Sequence, residues 1–107
     1  MGETLTREHA IGRLDQIPRG EGRNFDVAGR TVAVFRTHAD EVFATQAECP
    51  HLGGPLADGM MGGTTIMCPL HDRMYDMRTG AVLMGECPIR TYPIRQATDG
   101  TLLLEVG

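Results

Sequence analysis

Cys49-Pro50-His51, sixteen further residues (52–67), then Cys68-Pro69-Leu70-His71: this stretch decides how the rest of the chain is read. Each end supplies one thiol and one imidazole. Each is followed by loop formers, Gly53, Gly54 and Pro55 after the first and Asp72 and Arg73 after the second. Thiolate and imidazole are ligands for zinc and also for iron–sulfur centres. A zinc finger would present C-x-x-C first and paired histidines later, on a short helix. Here each loop mixes Cys and His, and β-type sequence flanks both. The mixing has a geometric use: with both thiolates on one metal and both imidazoles on a second, two loops hold both ends of a binuclear centre. A mononuclear zinc site in a structural or interaction module is the plainer alternative.

Outward from these loops the chain is a series of short apolar runs broken by Gly, Pro, Asp and Asn. Residues 31–37 are rich in β-branched side chains and partly alternating, which predicts a strand; residues 24–27 are its hairpin partner across the turn at 28–30. Residues 42–45 form another strand after a turn at 38–41. Residues 64–67 run into the second loop and 74–77 run out of it, with 81–83 following the turn at Arg78-Thr79-Gly80. Residues 91–95 and 101–106 close the chain, and Pro93 inside its run predicts an edge strand or a bulge. Helical periodicity is absent over any long window. Six to nine short strands predict an all-β fold, an antiparallel β-sandwich or small barrel. With 107 residues the whole chain, 1–107, reads as one domain. Residues 1–8 read as a disordered leader.

Composition narrows the function. There is no Trp, with three Phe and two Tyr, so the core must come from aliphatic side chains and Met. A formal charge of −4 argues against nucleic acid as a partner and suits docking to a basic surface on another protein. No apolar run approaches the roughly 20 residues of a membrane span, and the N-terminus lacks an apolar secretion core. The cysteines are odd in number and two of the three sit in metal-ligand spacing, which argues against a disulfide framework and for the cytoplasm as the natural compartment.

Residues 49–56 (Cys-Pro-His-Leu-Gly-Gly-Pro-Leu) and Cys68-Pro69-Leu70-His71 resemble the two cluster loops of the Rieske 2Fe–2S ferredoxins. Tyr75-Asp76, Thr79-Gly80, Tyr92-Pro93-Ile94, Val27-Ala28-Gly29 and residues 32–35 extend the resemblance over about residues 10 to 106. It implies a β-sandwich base with a cluster-binding subdomain at about 46–86, and one 2Fe–2S cluster. Cys49 and Cys68 would ligate the inner iron. His51 and His71 would ligate the outer iron through Nδ1, leaving Nε2 at the surface. It further implies a soluble one-electron carrier between a flavin reductase and a terminal oxygenase. The small subunit of NADH-dependent nitrite reductase is the alternative, toward which the runs 22–37 and 90–95 tilt.

Departures from the family pattern are informative. In respiratory relatives the positions of Gly54 and Leu70 carry cysteines that pair and brace the cluster, so no such brace is expected here. A serine that donates to a bridging sulfur there corresponds to Arg73. Tyr75 matches a tyrosine that donates to a cysteine sulfur. One donor of two places the potential in the lower part of the Rieske range. Gly53 and Gly54 would bring backbone N–H groups near sulfur, and Pro88 would belong to a third loop covering the cluster. Cys87 reads as a buried or idle thiol, and His9 and His38 as surface residues. The methionines at 60, 61, 67, 74, 77 and 84 read as core filling and an apolar docking rim. No Ser-His-Asp set, phosphate loop or nucleotide fingerprint is present, and a cluster with four protein ligands has no open site for substrate. No catalytic residue is therefore expected.

Overall fold

The structure, a computed structural model, describes residues 8–50, 53–70 and 73–106. Their strands, in chain order, are β1 (Glu8–Arg13), β2 (Glu21–Val27), β3 (Arg30–Arg36), β4 (Val42–Gln46), β5 (Met60–Gly62), β6 (Thr65–Met67), β7 (Met74–Asp76), β8 (Val82–Met84), β9 (Thr91–Tyr92), β10 (Ile94–Gln96) and β11 (Thr101–Glu105). They form three antiparallel sheets, ordered β1-β11-β10, β2-β3-β4-β9 and β5-β6-β7-β8.

The position of β3 explains how the three sheets stack. Its residues Val32, Ala33, Val34 and Phe35 are all fully buried. Successive side chains of a strand point to opposite faces. Val32 and Val34 accordingly join Ile17, Val27, Ala44, Leu102, Leu104 and Val106 in a base core against the sheet of β1, β10 and β11. Ala33 and Phe35 point the other way, into a second core with Cys49, Leu56, Ile66, Cys68, Tyr75, Met77 and Ile89. A strand buried on both faces reads as a continuous apolar run, which is why the alternation over 31–37 is only partial. Each fully buried large aliphatic or aromatic side chain contributes roughly 1.5–3 kcal/mol to holding these layers together.

The β2–β3 hairpin closes on two residues, Ala28 and Gly29, with φ of 51° and 80°. Positive φ at both central positions is the type I′ geometry that matches strand twist. On the base, Arg36 donates to the carbonyls of Leu14 and Ile17 and pairs with Asp40, whose carboxyl is held down at about 2 by Arg19 and Arg36.

Three expectations need correction. Glu8 belongs to β1 and pairs with Glu105, whereas a disordered leader through residue 8 was expected; residues 1–7 lie outside the described residues. β1 carries little alternation of its own, and its order comes from the distant β11. The run 91–95 divides at Pro93, with Thr91 and Tyr92 pairing with β4 and residues from Ile94 pairing with β11. Pro93 lacks an N–H and sits where the chain passes between sheets, and both halves are edge strands, as its chemistry requires. Strand β5 and the 3-10 turns Leu14–Gln16 and Leu56–Asp58 were not anticipated. They are too short for a periodic signal.

Candidate metal centre

Two loops of the second core carry the cysteines, and they close in the same way. In the first, the Cys49 N–H donates to the Gly54 carbonyl at 2.7 Å; in the second, the Cys68 N–H donates to the Arg73 carbonyl at 2.8 Å. In both, the cysteine is bonded to the residue five positions on. The second loop is the connection of the β6–β7 hairpin, entered after the Met67–Met74 pair. The first is hairpin-like as well, with an isolated bridge between Glu48 and Pro55 and a bond from Leu56 N–H to the Ala47 carbonyl. A pair of such loops, set side by side, presents two cysteines from two rigid bases.

Cys49 and Cys68 are 2% and 3% exposed and belong to one buried cluster. The Tyr75 hydroxyl lies 3.2 Å from Cys49 Sγ. Burial pushes the Tyr75 phenol well above its ordinary value, and the bond to Cys49 and the charges of Cys49 and Cys68 push the same way. The phenol therefore stays protonated and is the donor whenever Cys49 is a thiolate. Gly54 fits closely over the other sulfur: a Cβ there would fall 2.7 Å from Cys68 Sγ and 3.1 Å from Leu70 Cγ. Gly54 and Leu70 thus face each other across the two loops, as the positions of a brace would.

Arg73 leaves the second loop toward a third loop. Arg73, Tyr75, Pro50, Glu86 and Cys87 line one small cavity of about 60 Å³. Pro88, expected in a third loop over the site, is exposed, and the neighbouring Glu86 and Cys87 are what that loop brings to the cavity. Cys87 itself is exposed, which removes the buried alternative from the reading of it as a buried or idle thiol. Sequence reasoning passed over Gln46, at the end of β4. Its side chain accepts from Arg90 N–H at 2.7 Å and donates to the Glu48 carbonyl at 2.7 Å, tying the first loop to the segment after the third. Glutamine at a strand end has no signature that would have singled it out.

The outer face of the β5–β8 sheet carries a feature that spacing alone does not reveal. Met60 pairs with Met67, Met67 with Met74 and Met74 with Met84, so four methionines form one row across four strands. Ile66 and Tyr75, one position along, point inward. Met60 and Met84 are 75% and 48% exposed, with Leu70 and Leu83 also exposed. Met77, by contrast, is buried in the second core and Met61 packs against it.

Cys49, Gly54, Cys68, Arg73 and Tyr75 are brought together, and Gly53 N–H bonds the Cys49 carbonyl at 2.9 Å. His51 and His71 lie outside the described residues, and His9 and His38 are exposed elsewhere. Among the described residues, no group of three His, Cys, Asp or Glu could hold a metal by itself. The donor chemistry at hand is two buried thiols with a phenol donor, which fits the sulfur end of an iron–sulfur centre. No helix among the described residues is long and apolar enough to cross a membrane.

Comparison with known proteins bears on this arrangement. A family model described as the Rieske 2Fe–2S domain matches residues 7–93. The anthranilate 1,2-dioxygenase ferredoxin subunit of Burkholderia cepacia is 35% identical over 106 residues, covering 97% of this chain and 96% of its own length. Among solved structures, the ferredoxin of carbazole 1,9a-dioxygenase from Nocardioides aromaticivorans matches with a TM-score of 0.80 and 34% identity, covering 94% of this chain and 98% of that one. A Mycobacterium tuberculosis protein described as an NADH-dependent nitrite reductase small subunit superposes with a TM-score of 0.88 at 19% identity, covering 97% and 98%, a likeness of fold.

Proposed function

The chain belongs to the Rieske 2Fe–2S domain family, and on that premise we propose that it carries single electrons from a flavin-dependent reductase to a terminal oxygenase. It carries one Rieske cluster and is an electron-transfer component, not a catalyst. Cys49 and Cys68 hold the inner iron, and His51 and His71 hold the outer one. The whole chain is a single Rieske domain, with residues of about 46–86 as its cluster-binding part, working in the cytoplasm. The observation that carries this reading is the pair of equivalent loops, each closed from its cysteine N–H, that bury Cys49 and Cys68 beside the Tyr75 hydroxyl.

The cluster, when bound, supplies a one-electron couple whose two neutral imidazoles raise its potential above that of an all-thiolate centre, to roughly −150 to +300 mV. The protein contributes the rest. Tyr75 donates to Cys49 Sγ and drains charge from that thiolate, favouring the reduced state. Tyr75→Phe is expected to lower the potential by about 60 mV for each ~1.4 kcal/mol of preferential bonding lost. Protein-film voltammetry measures this, and an unchanged potential would remove Tyr75 from the account. The methionine row offers a deformable apolar surface, which suits a carrier that must meet a donor and an acceptor in turn.

The test of the carrier reading is spectroscopic and then functional. The purified protein is expected to be coloured, to give a rhombic low-temperature EPR signal after dithionite, and to be reoxidised by an oxygenase. A colourless, EPR-silent protein holding stoichiometric zinc would defeat it in favour of a structural module. The nitrite reductase alternative rests on likeness of fold at low identity, whereas the oxygenase ferredoxins match in sequence over nearly the full chain. Copurification with a nitrite reductase catalytic subunit would reverse that preference.

A further inference from the structure

Arg73 is held in a way its backbone role does not require. Its carbonyl closes the second loop on Cys68, which any residue could do. Its guanidinium Nε, however, is shut off from solvent with no hydrogen-bond partner among the described residues. A buried N–H without a partner carries a desolvation cost, so this placement needs a reason. The third loop makes room for it. The Arg73 stem lies across Gly85, where a Cβ would fall 2.7 Å from Arg73 Cδ and 3.4 Å from Nε. Arg73 Nη2 then meets Glu86 Oε1 at 3.7 Å. The two partners are unequally placed, with Arg73's side chain 24% exposed and Glu86's 73%. The side chain also borders the site: Arg73 lines one small cavity with Pro50 and with Tyr75, whose hydroxyl lies 3.2 Å from Cys49 Sγ. A permanent cation therefore stands beside Tyr75 and Pro50, with its counter-charge on a largely exposed side chain.

We propose that Arg73 is the fixed charge that raises the reduction potential of this centre, and that Glu86 on the third loop is the counter-charge that trims it. The proposal rests on the reading of the chain as a Rieske carrier. Reduction moves one electron from a reductase or an electrode to the centre and makes or breaks no bond, so the centre becomes more negative by one charge. A nearby cation stabilises that state and a nearby anion opposes it. The partly buried member of the pair is the less screened by salt.

Three variants test this by protein-film voltammetry, each checked for visible absorption and EPR. Arg73→Gln keeps the stem and removes the charge; at a fixed electrode potential its reduced-to-oxidised ratio is expected to fall about tenfold, equivalent to about 59 mV for one electron. Arg73→Lys keeps the charge and is expected to stay within about threefold of the parent. Glu86→Gln, at an exposed position, is expected to raise the ratio roughly threefold at low salt and to lose that effect in about 1 M salt. A residue with only a structural role would not move the potential in opposite directions for the two partners. Equal potentials for the Gln and Lys variants at 73, or a Glu86→Gln shift that is absent or downward, would overturn the proposal. If Arg73→Gln does not hold its cluster, the other two variants decide. A parent protein without absorption or EPR signal would instead overturn the carrier reading, an outcome distinct from an intact signal at an unmoved potential.

Discussion

Cys68→Ala is expected to yield a protein with no visible absorption, no EPR signal after reduction and no bound iron, and Cys49→Ala is expected to do the same. Each removes one sulfur from a pair buried in the same core, on loops closed by the cysteine's own N–H. Alanine offers no electron pair to replace a thiolate, and the phenol of Tyr75, which burial keeps protonated, does not take its place. The loss is therefore complete and not graded. It also reaches stability, because a centre bound only by the folded chain adds its binding free energy to folding. Here that term joins the first loop to the second, whose flanking strands are short, three residues each for β5 to β8. A fall in Tm of more than about 10 °C is expected, at about 4–8 °C per kcal/mol for a domain of this size. Cys87→Ala supplies the internal control: its thiol is exposed on the third loop, and colour, iron content and Tm are expected to stay at parent values. Parental iron and spectrum in Cys68→Ala would sink the ligand assignment; loss of colour in Cys87→Ala would show that the third loop holds more than it is credited with.

The sulfur side of the candidate site was legible because its chemistry is local in sequence. Cys49 and Cys68 stood out as metal ligands by their spacing, and Tyr75 was named through its place in a pattern; all three meet in one buried cluster. What was not legible depends on contacts between distant segments. β1 has no apolar alternation to announce it, and its register is set by β11, some ninety residues away in the chain. Gln46 works through Arg90, and Arg73 through Glu86, pairs that no spacing rule connects. The methionine row is a consequence of register: residues 60, 67 and 74 are seven apart and 84 is ten further on, a spacing of no strand or helix period, and only the pairing of four strands, with a bulge between Met74 and Tyr75, sets them in line. The splitting of residues 91–95 at Pro93 was half visible, since proline forbids a central strand but does not say which sheets its two sides will join.

Gly59→Ala is expected to destabilise the protein by about 3 kcal/mol or more, although Gly59 lies at no ligand position and in no recognised motif. Its backbone, with φ −75° and ψ 176°, is open to any residue, so conformational freedom is not the reason for glycine here. Space is the reason. A Cβ would run into the carbonyl oxygen of Met67, with the Leu56 carbonyl oxygen at 3.1 Å and Ile66 Cδ1 at 3.2 Å. Two of these three obstacles are backbone atoms, which cannot turn aside as a flexible side-chain end can. Gly59 ends the 3-10 turn that follows the first loop, its N–H bonded to the Leu56 carbonyl at 2.9 Å, and Met67 immediately precedes Cys68. It is thus the point at which the exit of one loop rests on the entry of the other. Making room for a methyl group either lifts the turn, drawing fully buried Leu56 from the core, or slides the Met60–Met67 pairing that sets the height of Cys68. Both routes alter the spacing of the two cysteines, so iron content is expected to fall in the molecules that still fold. At about 4–8 °C per kcal/mol the Tm drops by about 12 °C or more. Gly63→Ala is the matched control, with positive φ and nothing within 4 Å of the added atom. It incurs only the strain of a left-handed residue, about 1 kcal/mol, and leaves the centre intact. If Gly59→Ala melts no earlier than Gly63→Ala, the two loops are not joined at this contact, and the short turn between them is packing without consequence for the site.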